Sequence, residues 1–343
     1  MIRAIKDGLA VRLFCGLLRP KCTTALLALG ALGASILAPL PASAQAWPAK
    51  PIRLVVPYPP GGGTDLLGRM VARRLSETLG VPILIDNRPG ADGSIGTDIV
   101  AKAAGDGYTL LIDGTSQAYN VAFKKKLPYD SARDLAPIVQ TANQQVLLVA
   151  SMRLPIRNLL ELIELAKANP GKLTYGSSSN ANTLPMELLK TMTGTNIIYV
   201  PYRGSAPMLT DLLGGQVDIA MSGAAAPLPH VRAGKLRLLG IGDSQRSPSM
   251  PDFPTIAEAG IPGFQTLQWS GLYAPRPTPR AIIERINRDV VAILQDPAMR
   301  KQMIDAGFDP VTGPNTPERW GALVAAEVVK WSRIATQTGL KSD

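Results

Sequence analysis

The chain of 343 residues contains one histidine and two cysteines, and these low counts exclude several kinds of site. A metal site made of several histidines cannot form, and a Ser–His–Asp relay would have to use His230. Cys15 and Cys22 lie in the first 44 residues, so removal of that segment would leave no thiol for a disulfide, a nucleophile or a metal. An enzyme would therefore need carboxylates, Lys, Tyr or a bound cofactor.

Residues 1–44 have the three parts of a secretory signal peptide. Five basic side chains precede a mainly apolar stretch of 16 residues, and small residues follow at Ala42, Ala44 and Ala46. The apolar stretch is short for a membrane span, which argues against an uncleaved anchor. We predict cleavage after Ala44 or Ala46 and export of the mature chain.

Positive charge is moderate and scattered along the chain. The 36 Lys and Arg residues exceed the 26 Asp and Glu residues, and loss of residues 1–44 would leave 31 against 25, a net charge of +6. A mild positive field can raise the arrival rate of anions. The basic residues are not interleaved with aromatics, so no nucleic-acid partner is expected. The basic run at 124–126 is interpreted as an exposed loop.

Strand and helix patterns alternate through the first two thirds of the chain. A β-branched run at 52–56 precedes a glycine turn and then a helix in which Leu67, Val71, Leu75 and Leu79 recur every four residues. Further units of a strand, a turn and a helix follow this first one along the chain. Repeated strand–helix–strand units predict an α/β fold with parallel strands flanked by helices.

The last third is mainly helical, with three capping residues that each precede a proline. This change of character predicts that the tail returns to the first half of the chain. We predict two lobes, with lobe 1 formed by residues 47–142 and 270–343 and lobe 2 by residues 143–269. Each lobe is expected to contain a mainly parallel sheet flanked by helices.

Two glycine-rich turns carry the chemistry of the first lobe. Residues 58–65 and 88–96 each lie between a predicted strand and a predicted helix. Glycine allows main-chain N–H groups to point inward, and a helix start adds partial positive charge. In a parallel sheet both turns lie at the carboxyl ends of strands, where ligands bind. Two helix starts facing one cleft could hold one carboxylate, although either turn alone could be an ordinary tight loop.

Nucleotide and hydrolase motifs are incomplete. Gly61-x-Gly63 follows a strand and Asp86 ends the next one, but Leu66 stands where a dinucleotide motif needs its third glycine. The sequence contains no Gly-x-Ser-x-Gly or Ser-x-x-Lys motif. The serines at 177–179 are interpreted as hydrogen-bond donors to an anion, because no base accompanies them.

Ordered motifs run along nearly the whole mature chain. They are WP at 47–48, VPY at 56–58, PGG at 60–62, DNRPGA at 86–91, DGYTL at 106–110, LPYD at 127–130, PGKL at 170–173, VPYRGSAP at 200–207, LGGQVD at 213–218, AGKLR at 233–237 and PTIAEAG at 254–260. One such motif is weak evidence, whereas the ordered set is specific. In this ordered set of motifs the chain resembles the extracytoplasmic solute receptors of tripartite tricarboxylate transporters, the Bug family.

The resemblance implies a two-lobed binding protein of type II-like fold, with the ligand cleft between the lobes and a periplasmic location. Such a protein acts by capture and is not an enzyme. Its ligand would be a small carboxylate, namely a dicarboxylate, an amino acid or an aromatic acid, and no metal or cofactor would be needed. Its partners would be membrane permease subunits or a sensor protein, and the chain is expected to be a monomer. The alternative is a secreted enzyme acting on a carboxylate or nucleotide in the same cleft, with Asp65, Asp86 or Asp92 as acid or base.

The expected ligand contacts come from the two turns and from strand ends that match the family. They are Tyr58, Pro60, Gly61, Gly62, Gly63, Thr64, Asp65, Gly90, Ala91, Asp92, Gly93, Ser94, Thr115, Ser116, Ser177, Ser178, Ser179, Asn180, Arg203, Gly204, Ser205, Ala206 and Ser222. One segment departs from the family pattern, since Ser222-Gly223 replaces an Asp-Asn pair that many relatives carry. We expect the site to lose charge and bulk there and to leave room for a different or larger group.

Overall fold

The computed structural model describes residues 47–124, 126–247 and 250–338. The predicted signal peptide, both of its candidate cleavage positions and Lys125 of the basic run lie outside the described residues. Within the described part, no helix combines the length and the apolar character that crossing a membrane requires.

Strands and helices alternate along most of the chain. The strands are β1 (Ile52–Val56), β2 (Ile83–Asn87), β3 (Thr109–Gly114), β4 (Leu135–Gln144), β5 (Val146–Ser151), β6 (Thr174–Ser177), β7 (Ile198–Pro201), β8 (Ile219–Gly223), β9 (Leu236–Ile241), β10 (Gln268–Pro275) and β11 (Phe308–Asp309). The helices are α1 (Gly63–Leu79), α2 (Ser94–Ala101), α3 (Ser116–Phe123), α4 (Ser131–Asp134), α5 (Leu159–Ala168), α6 (Asn180–Thr193), α7 (Ser205–Gly214), α8 (Leu228–Arg232), α9 (Arg280–Gln295), α10 (Pro297–Asp305) and α11 (Pro317–Thr338).

Helix α1 confirms the predicted apolar stripe. Leu67, Val71 and Leu75 are buried in one core with the strands of the first sheet, and Leu79 is half-buried at the end of the stripe. Gly80 ends the helix in the left-handed conformation, with φ 71°, and donates its N–H to the carbonyl of Ser76. Burial of this stripe fixes the start of α1 at the end of β1.

The strands form two sheets. The first has the order β11-β4-β10-β3-β1-β2, and the second has the order β7-β6-β8-β5-β9. The chain passes from the first sheet to the second at Gln145, between β4 and β5, and returns between β9 and β10. The two-lobed α/β fold expected from the sequence is confirmed, while the lobe boundaries stay a prediction.

The expectation that the sheets are mainly parallel is wrong, because both are mixed. β1 is parallel to β2 and β3, and β6 is parallel to β7 and β8. β10 is antiparallel to β3 and β4, and β5 is antiparallel to β8 and β9. Parallel neighbours need a crossover connection, usually a helix, whereas β4, β5 and β10 belong to segments that join the two sheets. Their direction is set by the path between the lobes, which local sequence patterns do not encode.

The tail helix α11 packs on the first sheet through two buried tryptophans. Trp320 lies edge-on to Trp269 of β10, with ring centres 5.0 Å apart. Trp331 lies edge-on to Tyr119 of α3, with ring centres 4.5 Å apart. A Cβ at Gly271 of β10 would collide with the Trp320 indole, so glycine is what allows this close approach. The tail thus holds β10 and α3 in place from one side.

Candidate ligand-binding pocket

A pocket of about 90 Å³ lies between the two sheets, at the ends of their strands. Both halves of the molecule contribute to its wall. The predicted contacts that line it are Tyr58, Gly62, Gly63, Thr64, Thr115, Ser116, Ser178, Ser179, Gly204, Ser205 and Ser222. The structure therefore brings together the first glycine turn and the strand ends of both sheets.

Four helices begin at this pocket, and each half of the molecule supplies two. The N-cap residues are Gly62 for α1, Thr115 for α3, Ser179 for α6 and Gly204 for α7, and none makes a side-chain hydrogen bond to its own helix. The first N–H groups of a helix have no partner inside the helix, and they carry partial positive charge. The pocket wall therefore offers main-chain donors to an anion from both sides.

Asp65 supports the first glycine turn from behind and does not line the pocket. Its buried carboxylate accepts hydrogen bonds from Gly61 N at 3.0 Å, Arg69 Nε at 2.9 Å and Asn87 Nδ2 at 2.9 Å. Burial alone would raise the pKa of Asp65, but the hydrogen bonds from Arg69, Gly61 and Asn87 lower it below its ordinary value. Asp65 is therefore ionised and ties the turn to α1 and β2.

The second glycine turn does not line the pocket, although it was expected to share in holding the ligand. Its residues are Gly90, Ala91, Asp92, Gly93 and Ser94. The Tyr58 side chain lies next to this turn, since a Cβ at Gly93 would be 3.1 Å from Tyr58 Oη. The turn thus packs against a residue of the pocket wall and stands behind it.

Further predicted contacts also lie outside the wall, including Pro60 and Gly61 of the first turn. Ser177 is fully buried and donates its hydroxyl to the carbonyl of Ser179 at 3.2 Å. Asn180 begins α6 but its side chain does not reach the wall, and Arg203 and Ala206 are exposed. The pocket wall thus contains part of each predicted segment, and the ligand contacts themselves stay a prediction.

The wall also contains polar residues that the sequence analysis missed. They are Asp113, Gln144, Asn182, Gln268 and Ser270, next to Pro59, Ala181, Gly223, Ala226 and Trp269. Asp113 could have been found, because it stands near the carboxyl end of β3, where the parallel-sheet rule places ligands. Gln144 and Gln268 end and begin the strands that connect the two halves, and no local motif marks them.

Asp113 is a buried carboxyl group in this wall. It accepts hydrogen bonds from Gly114 N at 2.7 Å, from Ser116 Oγ at 2.6 Å and from Gln117 Nε2. Burial raises the pKa of Asp113 to about 6, although these donors act in the opposite direction. Within the described part of the chain, no Lys, Arg or His side chain lines the pocket to offset a charge on Asp113.

The space beside Gly223 is filled, which corrects the expectation of extra room at Ser222-Gly223. A Cβ at Gly223 would be 2.8 Å from Gln144 Cδ, so the Gln144 amide occupies the place of the missing side chain. Residues 222 and 223 carry no charge, as expected, but the side chain of Gln144, the last residue of β4, fills the space beside them. Among the described residues, no group of three His, Cys, Asp or Glu side chains could hold a metal ion.

Comparison with known proteins identifies the family. Residues 67–340 match the family described as Tripartite tricarboxylate transporter family receptor. Protein BugT of Bordetella pertussis is 39% identical over 306 residues, which cover 88% of this chain and 93% of that protein. The structure of R. palustris Rpa4515 with adipate is similar, with 38% identity, a TM-score of 0.83 and coverage of 86% of this chain and 99% of that chain. MatC from Rhodopseudomonas palustris with bound malate has 32% identity, a TM-score of 0.80 and coverage of 84% and 99%. The chain therefore belongs to the receptor family of tripartite tricarboxylate transporters.

Proposed function

We propose that this chain is a periplasmic receptor that captures a small dicarboxylate and presents it to the membrane subunits of a tripartite transporter. The lobes would be residues 47–142 with 270–343 and residues 143–269. They would hinge where the chain crosses between the sheets, at Gln145 and between β9 and β10. Cleavage of residues 1–44 during export would place the receptor in the periplasm.

The observation that carries the proposal is the meeting of four helix N-termini at one pocket. Helices α1 and α3 would hold one carboxylate, and α6 and α7 would hold the other. Since each helix N-terminus carries about half a positive charge, an anion gains from α1, α3 and α7, and gains less from α6, whose first N–H is bonded to the Asp92 carboxylate. A cation or a neutral molecule gains nothing from them. A ligand with a carboxylate at each end fits donors that face each other across a cleft.

The ligands of similar receptors support the same class. Solved structures of two relatives contain adipate and malate, which are both small dicarboxylates. We therefore assign a small dicarboxylate to this chain and leave its length and substituents to experiment.

Capture without catalysis is supported by where the three suggested acid–base residues lie. Asp65 is bonded to Arg69, Asp86 is paired with Arg53 and Arg88, and Asp92 accepts from a main-chain N–H of α6. None of the three lines the pocket, so none is placed to exchange a proton with a bound molecule.

The test is to identify the ligand and to measure its binding. Mass spectrometry of small molecules released from gently purified mature protein should detect a dicarboxylate. Adipate and malate should be the first compounds in a thermal-shift screen, because binding to the native state raises the melting temperature. Stabilisation by no carboxylate, together with turnover of an ester or a nucleotide, would overturn the proposal in favour of a secreted enzyme.

A charge substitution provides the matched control for this screen. Ser270→Asp places a carboxylate in the buried pocket wall, where it should abolish stabilisation by a dicarboxylate through repulsion. Ser244→Asp makes the same change on an exposed loop and should leave stabilisation unchanged. Equal responses of the two variants would show that the ligand binds elsewhere.

A further inference from the structure

The second glycine turn has an unusual backbone for which the pocket gives no reason. Gly90, Ala91, Asp92 and Gly93 all have positive φ, at 132°, 46°, 50° and 84°. Two of them are not glycine, and the left-handed region is unfavourable for residues with a Cβ, although Asp tolerates it better than most. Such a conformation persists only when its surroundings hold it.

Helix α3 and the residue that follows it hold the turn. Asn120 Nδ2 donates to the carbonyl of Asp92 at 2.9 Å. Lys124 Nζ donates to the carbonyl of Ala91 and to Ser94 Oγ, the latter at 2.8 Å. Lys124 is half-buried there, in contrast to the exposed loop expected for the basic run. These contacts fix the turn to the first half of the molecule and leave the Asp92 carboxylate to point out of it.

That carboxylate reaches across to the other half of the molecule. Asp92 Oδ1 accepts a hydrogen bond from the main-chain N–H of Asn180 at 3.1 Å. Asn180 is the first residue of α6, and its own N-cap residue, Ser179, makes no capping bond. Asp92 therefore supplies from one lobe the helix cap that is missing in the other.

The capped turn of α6 is part of the pocket wall. Ala181 and Asn182 both line the pocket, directly after the residue whose N–H Asp92 accepts. A second bridge acts on the same turn, since Gln268 Nε2 donates to the carbonyl of Ala181 at 3.0 Å and to Asn182 Oδ1 at 2.7 Å. Any opening that moves α6 away from the first sheet would break these contacts.

We propose that Asp92 is a positioning residue that caps α6 across the cleft and holds the first turn of this helix against the pocket. The strained turn serves to aim the carboxylate and does not contact the ligand. The cap joins the two lobes across the cleft, so opening must break it, and it therefore slows ligand release without touching the ligand. The effect on release rests on the proposed function, whereas the capping itself does not.

Three substitutions separate capping from turn geometry. Asp92→Gly removes the carboxylate and suits a positive φ better than Asp does. Asp92→Asn keeps an acceptor oxygen and tolerates the same backbone conformation. Ala91→Gly relieves the backbone strain at the neighbouring position and leaves the Asp92 cap intact. If Asp92 served only the turn, Asp92→Gly would behave like the wild type or better.

Hydrogen exchange of the ligand-free protein is the first measurement. Amides in the first turn of α6 should exchange about fivefold faster in Asp92→Gly, and within about twofold of the wild type in Asp92→Asn and Ala91→Gly. The proposal would be overturned if these amides exchanged in Asp92→Gly at the wild-type rate. It would also be overturned if Asp92→Asn accelerated their exchange as much as Asp92→Gly does. This arm does not depend on the identity of the ligand.

Release of adipate and malate is the second measurement. Stopped-flow dissociation should be about fivefold faster in Asp92→Gly, with an unchanged association rate, and Asp92→Asn should restore slow release. An equal fall in the association rate would point to a damaged pocket and count against a positioning role. Failure of both acids to bind the wild type would defeat the proposed function, while the exchange experiment would still decide the role of Asp92.

Discussion

Asp113 shares the pocket wall with the main-chain donors that would hold a carboxylate, so its charge opposes binding. Burial raises the pKa of Asp113 to about 6, so its charge changes between weakly acidic and neutral pH. The phenols near it do not titrate in that range, since burial raises the pKa of Tyr129 to about 12 and raises the pKa of Tyr58 well above its ordinary value. Protonation of Asp113 is therefore the main local change in charge near neutral pH.

We predict that dicarboxylate binding weakens as pH rises. An anion in the pocket raises the pKa of Asp113 further, so binding takes up a proton wherever the free receptor is ionised. The Kd should increase by up to about tenfold per pH unit between about pH 6.5 and 8.5. Titration calorimetry on the wild type and Asp113→Asn measures this, and the variant should show little pH dependence. A wild-type Kd that stays constant over this range would contradict the prediction.

Asp65 gives a second test at the same scale, because it acts on the ligand only through the turn. Asp65→Asn should lower the free energy of unfolding by about 1–3 kcal/mol and weaken dicarboxylate binding, since the bonds that tie the turn to Arg69 are weakened. The pKa of Asp65 is lowered by folding, so its stabilisation is present at neutral pH and is lost as pH falls below about 4. Chemical denaturation at several pH values, with calorimetry, measures both effects.

Asp86 supplies the matched control for Asp65. It is also paired with arginines, Arg53 and Arg88, but it stands at the end of β2 and bonds neither the first glycine turn nor the pocket wall. Asp86→Asn should lower the free energy of unfolding by less than about 1 kcal/mol, because Arg53 and Arg88 are substantially exposed. It should leave the affinity for a dicarboxylate unchanged. Similar losses of affinity in both variants would mean that Asp65 does not act through the turn.

At the scale of elements, the turn before α1 and the end of β4 fit together. A Cβ at Gly63 would collide with Gln144 Nε2, and the same amide fills the space beside Gly223. Gly63→Ala should therefore displace the Gln144 side chain and weaken dicarboxylate binding by about tenfold, as expected for overpacking of about 1–3 kcal/mol. Gly214→Ala is the control, because the nearest atom to its Cβ would be 3.9 Å away. Equal affinities in the two variants would show that Gln144 moves without effect.

Local elements were predictable because their signals are local. The four-residue period of Leu67, Val71 and Leu75 predicts the buried face of α1, and Gly80 ends the helix where the pattern stops. The first glycine turn was found for the same reason. Ser178 and Ser205 were assigned through the family resemblance, and both line the pocket.

The rest depends on contacts between distant segments. The partner of Asp92 is Asn180, 88 residues away, so no local pattern near Asp92 shows that it bonds to a helix start. Gln144 reaches the pocket because β4 leads directly into the second sheet through Gln145. The antiparallel strands were missed for a related reason, since strand direction follows the path between lobes and not the period of side chains. Side-chain pattern thus predicts elements, and the connections decide which residues meet.

The whole molecule carries a net positive charge, although no Lys or Arg among the described residues lines the pocket. The charge should therefore act on the approach of a dicarboxylate and not on its retention. Raising NaCl from about 50 to about 500 mM shortens the Debye length from about 14 Å to about 4 Å, which screens long-range attraction but hardly affects hydrogen bonds inside a closed pocket. We predict that the association rate falls several-fold while the dissociation rate changes less than about twofold.

Stopped-flow measurements with adipate or malate at a series of salt concentrations test this prediction. Arg203→Gln is the informative variant, because Arg203 is exposed close to the start of α7 and was expected to pair with the ligand. It should leave the dissociation rate within about twofold of the wild type. If the dissociation rate of the wild type rose steeply with salt and that of Arg203→Gln did not, a cationic side chain would hold the ligand. Recognition by helix N-termini would then be secondary, and closure of the lobes would have to bring Arg203 onto the bound acid.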